Sequence, residues 1–292
     1  MNLGAHMSIA GGVHRALERG TRIGCNAVQL FVKNTNQWRT RKLPREEISL
    51  FKKEKSAFAP NFVLAHASYL INLASPDASL LERSLNGFLE EIERASALGI
   101  PYIVIHPGSH RGSGEKQGLQ RIARSLDELL SEKQTGRLHI LLETTAGQGD
   151  TIGHTFEQLA RIIDTVRAND RLGVCFDTCH VFAAGYDMRT KRAYDATLKT
   201  FDRVIGIERI KAFHLNDSLR ALGSRVDRHT HIGTGALGLK AFSLLVNDAR
   251  FFDRPMILET PKGADDSNDL RNLAVLRGLR RGLRRKARCE AR

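Results

Sequence analysis

Four cysteines in 292 residues, none in a C-x-x-C pair, leave no material for a disulfide framework or a thiolate zinc ribbon. Cys25, Cys175, Cys179 and Cys289 read as reduced packing residues, and only Cys179, close to a candidate ligand, has a metal alternative. The seven prolines and 25 glycines are scattered, so no Pro- or Gly-rich linker divides the chain. No apolar run approaches the ~20 residues that span a bilayer. Met1 to Ala10 lacks the basic start and apolar stretch of a secretory signal, so a soluble cytoplasmic protein with no membrane partner is expected. Acid is scarce relative to base. The 45 Lys and Arg outnumber the 32 Asp and Glu, giving a net charge of +13 that suits a polyanionic partner such as nucleic acid.

Much of that excess sits at the C-terminus. Arg277, Arg280, Arg281, Arg284, Arg285, Lys286, Arg288 and Arg292 face a single acid, Glu290. Such a run is either a solvated tail or a non-specific phosphate contact. The expected organisation is one domain over residues 1–276 followed by a basic tail, 277–292, with a monomer as the simplest assembly. A chain that is 41% hydrophobic can bury one sizeable core at this length.

What is present in abundance is a rhythm. Short β-branched runs at 3–5, 27–32, 62–65, 102–105, 139–142, 172–176, 210–213 and 255–258 alternate with longer amphipathic stretches. Several runs are continuously apolar, as in Ile103-Val104-Ile105, which is the mark of parallel strands buried on both faces. The spacing predicts helices over 80–98, 119–130 and 156–166. The first carries Leu81, Leu85, Phe88, Leu89 and Ile92 on one face and stops at Gly99 ahead of Pro101. Eight strands alternating with helices predict a single-domain (β/α)8 TIM barrel, whose site lies at the C-terminal ends of the strands.

The residue after each run was therefore decisive. Strands three to eight are followed by His66, His106, Glu143, Asp177, His214 and Glu259. His180 lies three residues beyond Asp177, and Asp227 and His229 lie in the loop after strand seven. One histidine after a strand is commonly structural. Six consecutive strands ending in metal-capable side chains converge on one bowl. Imidazole and carboxylate without thiolate suit Zn²⁺, with Mn²⁺ or Fe²⁺ as alternatives. Nine such residues exceed one tetrahedral ion and serve two or three. Close divalent ions suit phosphoester hydrolysis, because they lower the pKa of water and offset charge on the phosphate and leaving oxygen. Of the remaining histidines, His6 follows strand one and is the candidate to face the bowl, whereas His231 reads as a loop residue.

The motifs themselves resemble a known family. His66-Ala-Ser-Tyr-Leu-Ile-Asn-Leu73, His106-Pro-Gly108, Glu143-Thr-Thr-Ala-Gly-Gln-Gly149, Asp177-Thr-Cys-His180, His214-Leu-Asn-Asp217, Asp227-Arg-His229 and Leu258-Glu-Thr260 resemble, in order, the endonuclease IV family of apurinic/apyrimidinic endonucleases. The resemblance extends from Gly4-Ala-His6 to about Thr260. It implies three zinc ions, with Mn²⁺ as a substitute: His66, His106 and Glu143 on the first, Glu143, Asp177, His214 and Glu259 on the second, and His180, Asp227 and His229 on the third. It implies Glu143 and Glu259 as the catalytic carboxylates. The implied reaction is hydrolysis of the phosphodiester 5′ to an abasic site in double-stranded DNA, leaving a 3′-hydroxyl and a 5′-deoxyribose phosphate, with trimming of blocked 3′ ends. Tyr69 and Leu70 match loop residues that enter the gap left by the missing base, and Asn36, Gln37 and Arg228 match DNA contacts. The segment Lys33-Asn-Thr-Asn-Gln-Trp38 resembles a DNA-contacting loop, in which Trp38 either contacts DNA or packs beneath. Two positions depart from the pattern: Asn36 where some members carry arginine, and Thr144 in place of asparagine.

Two other classes compete. A metal-dependent sugar isomerase on a related barrel uses Glu, Asp, His and Glu at strand ends but needs neither Asp227-Arg-His229 nor a third metal. A non-catalytic nucleic-acid-binding barrel predicts a missing ligand, and none is missing.

Overall fold

The computed structural model describes residues 1–58, 62–132 and 135–280. Eight strands close into a parallel barrel: β1 (Asn2–His6), β2 (Ala27–Phe31), β3 (Phe62–His66), β4 (Tyr102–Ile105), β5 (His139–Glu143), β6 (Leu172–Asp177), β7 (Ile210–His214) and β8 (Pro255–Leu258). Neighbours in sequence are neighbours in the barrel, and β8 pairs with β1 to complete it. The TIM barrel expected from the eight runs is thus the fold observed. Strand ends differ from expectation by one residue in most cases, because the final polar residue of β1, β3, β5, β6 and β7 continues the ladder.

Among the described residues the helices are α1 (His14–Arg22), α2 (Arg45–Ala57), α3 (Ala78–Ala97), α4 (Glu115–Ser131), α5 (Phe156–Thr165), α6 (Thr178–Ala184), α7 (Lys191–Val204), α8 (Gly238–Val246) and α9 (Ser267–Leu279). None is long and apolar enough to cross a membrane. Local chemistry sets their ends. The Asp77 side chain accepts from Leu80 N–H at the start of α3, and Thr155 and Gln158 form a reciprocal capping box on α5. Gly99 takes a left-handed φ of 70° just past α3. Helix α4 begins one turn before the expected start, because Glu115, Lys116 and Gln117 form a polar first turn that carries no apolar periodicity. The expected division after residue 276 falls inside α9, whose Leu273 and Leu276 are buried against the barrel. Arg277 donates to Gly24 O and Arg280 to Val246 O, so both belong to the barrel body. The other tail residues, Arg281 to Arg292, lie outside the described residues.

Side chains alternate along each strand, and this sorts the core into two parts. Outward residues pack beneath the helices. Inward residues Ala27, Leu64, Val104, Leu141, Cys175, Ala212 and Ile257 form a separate cluster that fills the lumen. On β1 the corresponding residue is Gly4, and a Cβ there would lie 1.5 Å from Ala27 O, so the close approach of β1 and β2 requires glycine. The lumen is a packed floor with the candidate site on top of it. Leu141→Ala removes a fully buried side chain from that floor and is expected to destabilise the protein by ~2–5 kcal/mol, measured by denaturant unfolding. An effect below ~1 kcal/mol would mean the floor is not close-packed.

Candidate metal centre

Two residues beyond each floor residue, alternation brings the next inward side chain to the top of the barrel. Leu64 is thus followed by His66, Val104 by His106, Leu141 by Glu143, Cys175 by Asp177, Ala212 by His214 and Ile257 by Glu259. His180 joins them from the first turn of α6, whose N-terminal cap is Asp177 itself. Asp227 and His229 arrive from the β7–α8 loop. A two-residue antiparallel ladder, 217–218 with 229–230, folds that loop back over the bowl. The fully buried Asp217 carboxylate secures it by accepting from the backbone N–H groups of Gly233, Gly235 and Leu237 at 2.9–3.0 Å. Gly235 is needed at that turn, since a Cβ would sit 2.3 Å from Ser218 O.

All nine sequence-predicted residues meet. His66, His106 and Glu143 offer donor atoms that lie within 4.8 Å of one another. So do Glu143, Asp177, His214 and Glu259, and so do His180, Asp227 and His229. Glu143 is common to the first two groups. Its Oε2 is 3.1 Å from the Nε2 atoms of His66 and His106, and its Oε1 is 2.9 Å from His214 Nδ1 and 3.2 Å from His180 Nδ1. Cys179 also falls near Asp177 and His229, but its thiol points at Arg228 O, 3.7 Å away.

The tautomers follow from the partners. His66 Nδ1 lies 2.7 Å from Ala67 O, His180 Nδ1 2.9 Å from Thr144 O, and His229 Nδ1 3.3 Å from Glu259 O. A carbonyl only accepts, so these Nδ1 atoms carry the proton and each Nε2 presents a lone pair. Those lone pairs face carboxylates: His66 faces Glu143, and His180 and His229 face Asp227 at 3.1 and 3.3 Å while standing 3.3 Å from each other. Acceptor facing acceptor is repulsive unless a proton or a metal cation lies between. The donor set therefore fits divalent ions on the geometry of the chain alone.

In the metal-free chain, protons on the imidazoles take the place of such a cation. Burial pushes the carboxyls up and the imidazoles down, yet their mutual attraction outweighs it. Glu143 and Glu259 are held well below the usual carboxylate range, chiefly by His214, and Asp227 lies at about 2 through His180. His66 is raised above 6.5, and His180 and His214 well above it, by the acidic groups around them.

The surrounding residues hold these groups in place. Thr144, the departure from the expected asparagine, accepts from Asp177 N–H at 2.9 Å with its hydroxyl and from His180 with its carbonyl. Asn216 donates to Asp177 Oδ2 at 2.6 Å and accepts from Glu259 N–H at 2.9 Å. Gln29 and His6 occupy the inward tops of β2 and β1, the two strands without an expected ligand. Gln29 and Asn216 were missed from the sequence. Counting two residues on from Ala27 would have found Gln29. Asn216 lies past a strand end, where no periodicity points to it. His231 bonds Asn272 instead of the centre.

Above these residues, a cavity of about 340 Å³ is lined by Tyr69, His106, His180, Asp227, Arg228, His229 and Glu259. A larger cavity of about 680 Å³ beside it is lined by His6, Phe31, Lys33 and Lys262 among others, but by none of the nine, so the smaller one is the cavity that opens onto the candidate centre. Tyr69 is 65% exposed while its ring edge touches Phe31, His66 and His106. Leu70 is half-buried next to it, and Asn36, Gln37 and Arg228 are exposed around the rim. Trp38 packs on α3, its ring 3.5 Å from the place of a Cβ on Gly87 and beneath the Arg83 guanidinium. A buried brace joins the two rim loops. Lys33 Nζ donates to Trp38 O and lies 3.4 Å from Glu91, which accepts from Ser68 N–H, and the Ser68 hydroxyl donates to Thr35 O.

Comparison with known proteins matches residues 17–280 to the family described as xylose isomerase-like TIM barrel. A probable endonuclease 4 of Chloroflexus aggregans is 53% identical over 276 residues, covering 94% of this chain and 96% of that protein. The crystal structure of endonuclease IV from Thermus thermophilus is similar with a TM-score of 0.84 at 37% identity, covering 96% and 98% of the two chains. A D-tagatose 3-epimerase-like protein shares the fold alone, with a TM-score of 0.72 at 17% identity over 96% of this chain and 97% of that one.

The pKa directions set a stability profile for protein stripped of metal by a chelator. Imidazoles raised above 6.5 contribute stability that is complete below 6.5 and is lost as pH rises through their folded values. Carboxylates lowered from 4.5 contribute stability that is lost as pH falls below that value. The melting temperature of stripped protein should therefore peak between pH 4.5 and 6.5 and fall on both sides. A profile flat to pH 9 would contradict the charge network.

Proposed function

The chain belongs to the endonuclease IV family of DNA-repair endonucleases acting at abasic sites, and we propose that it is a three-zinc enzyme cleaving the phosphodiester 5′ to the lesion and trimming blocked 3′ ends. The observation that carries this reading is the convergence of bare imidazole nitrogens and carboxylate oxygens in three contiguous groups. Zn²⁺ suits nitrogen and oxygen donors in this number, and Mn²⁺ would substitute. Ions held here supply Lewis acidity at the phosphate and lower the pKa of water.

Each part of the chain then has a role. Glu143, with one oxygen toward His66 and His106 and the other toward His214 and His180, would serve as a ligand in both of the groups it shares. Glu259 lines the cavity and is kept ionised by its imidazole neighbours. It would take the proton as water adds to phosphorus and return it to the preceding nucleotide's 3′-oxygen as that P–O bond breaks, giving a 3′-hydroxyl and a 5′-deoxyribose phosphate. An abasic site offers no base edge to read, so recognition rests on the backbone and on the ease of deformation there. Tyr69 and Leu70 stand where they would fill the gap and stack on neighbouring bases, with Asn36, Gln37 and Arg228 along the strand. Turning the baseless sugar into the cavity loses no stacking. The net charge of +13 favours encounter with the duplex. A sugar isomerase would leave the His180–Asp227–His229 group and the exposed Tyr69 without a purpose.

Purified protein given a duplex with one abasic site should nick only at the lesion, lose activity to a strong chelator and regain it with zinc. Failure to nick with three metals bound would overturn the reading. Glu259→Gln should abolish cleavage while lesion binding persists, as measured by gel shift. Normal cleavage by that variant would remove Glu259 from the mechanism. Tyr69→Ala should weaken binding to the lesion by about tenfold, in the range of one lost base stack, and binding to intact duplex much less. Equal losses would reduce Tyr69 to a packing role.

A further inference from the structure

Strand β2 carries no expected ligand, yet its inward top residue, Gln29, is fully buried and touches two of them. Its Nε2 is 2.6 Å from Glu259 Oε1 and 3.0 Å from His6 Nδ1, and its Oε1 is 2.8 Å from His214 Nε2. These partners fix the orientation of the amide. The Glu259 carboxylate is an acceptor, so the atom beside it must be the amide NH₂. The amide oxygen then faces His214, whose Nε2 must carry a proton. A neutral His214 is left with its lone pair on Nδ1, and Nδ1 is the atom that faces Glu143 Oε1 at 2.9 Å and Glu259 Oε2 at 3.1 Å. The second amide proton is taken by His6 Nδ1, so His6 backs the orientation of the amide from β1, where it is Gln29's lateral neighbour. The His6 Nε2 atom on the far side of that ring is buried and has no hydrogen-bond partner.

We propose that Gln29 is a positioning residue of the centre: it fixes His214 in the tautomer that offers Nδ1 to a cation, and the same amide orients Glu259 toward that point. The proposal rests on the reading that these residues hold divalent ions. His214 differs in this from the other anchored imidazoles. His66, His180 and His229 are fixed by the backbone carbonyls of Ala67, Thr144 and Glu259, which no substitution at another side chain removes. His214 depends on one side chain, so a single substitution can release one ion position and leave the other groups in place. Groups that orient a ligand in this way typically contribute 10–100-fold to metal affinity.

The test is Gln29→Met, which keeps the volume and removes both polar atoms, with Gln29→Glu as the rescue, since a protonated carboxyl matches the amide atom for atom, its O–H donating to Glu259 Oε1 and its carbonyl accepting from His214 Nε2–H. Zinc-loaded wild type should hold three ions per chain by elemental analysis. Its His214 should show the Nε2–H tautomer in ¹⁵N-histidine NMR spectra. Gln29→Met should lose one of its ions to a chelator at least about tenfold faster, retain the others at the wild-type rate, and show mixed His214 tautomers. Gln29→Glu should restore the tautomer. Thermal melts of the zinc-loaded variants establish that they are folded. Uptake of three ions by wild type, with unchanged tautomer and chelator kinetics in folded Gln29→Met, would overturn this inference alone. No zinc uptake by wild type would overturn it together with the metal reading. If Gln29→Met does not fold, the Gln29→Glu protein carries the decision: a wild-type tautomer supports the proposal, and its loss refutes it.

Discussion

Along each barrel strand the inward side chains come every second residue, and the whole site depends on that period. The residue that plugs the lumen and the residue that serves the chemistry are two positions apart on the same strand, so neither can move without the other. Leu64, Val104, Leu141, Cys175, Ala212 and Ile257 are close-packed below, and His66, His106, Glu143, Asp177, His214 and Glu259 stand directly above them. A close-packed interior is stiff. It fixes the starting points of six ligands from six separate segments of chain, which is what a multi-ion centre needs if ligands are to be preorganised before metal arrives.

The centre built on that floor is unfavourable by itself. Carboxylates and imidazole nitrogens face one another at about 3 Å, buried at Glu143, Asp177 and His214 and open to the cavity at His106 and Asp227. Protons on the imidazoles relieve this in the metal-free protein, and divalent ions relieve it better because each can take three or four donors at once. The hydrogen bonds to His66, His214 and His229 occupy the ring nitrogen that points away from the carboxylates. Backbone carbonyls hold three imidazoles, Gln29 holds a fourth, and Asn216 and Thr144 keep Asp177 and Glu259 in position.

The rim follows different rules. Its residues are exposed, and what they touch comes from outside the chain, so the fold contributes by bracing the loops. Lys33 and Glu91 form a buried pair whose hydrogen bonds reach the backbone of both the 33–38 loop and the turn bearing Tyr69 and Leu70. A buried pair of this kind is weak evidence for stability but strongly penalises any rearrangement that would separate the charges. The two loops that flank the cavity are thereby set at a fixed separation, one presenting an aromatic ring edge-on above the histidines and the other presenting amide side chains.

By itself, the sequence determined the eight strands, their parallel burial and the identity of the strand-end ligands. These are local properties: a run of β-branched residues, its period of two, and the polar residue that closes it. Asp227 and His229 were candidates from their place in the loop after strand seven, but their arrival at the bowl depends on a ladder between 217–218 and 229–230 and on Asp217 gathering distant N–H groups. The sharing of Glu143 between two ligand groups, the tautomers of the imidazoles and the part played by Gln29 were decided by tertiary structure alone. Each depends on which atom faces which: backbone carbonyls for His66, His180 and His229, and side chains 71 to 230 residues apart in the chain for Glu143 and Gln29. Periodicity carries a residue to the right face of a strand, but closure of the barrel is what sets the distance between atoms on different strands.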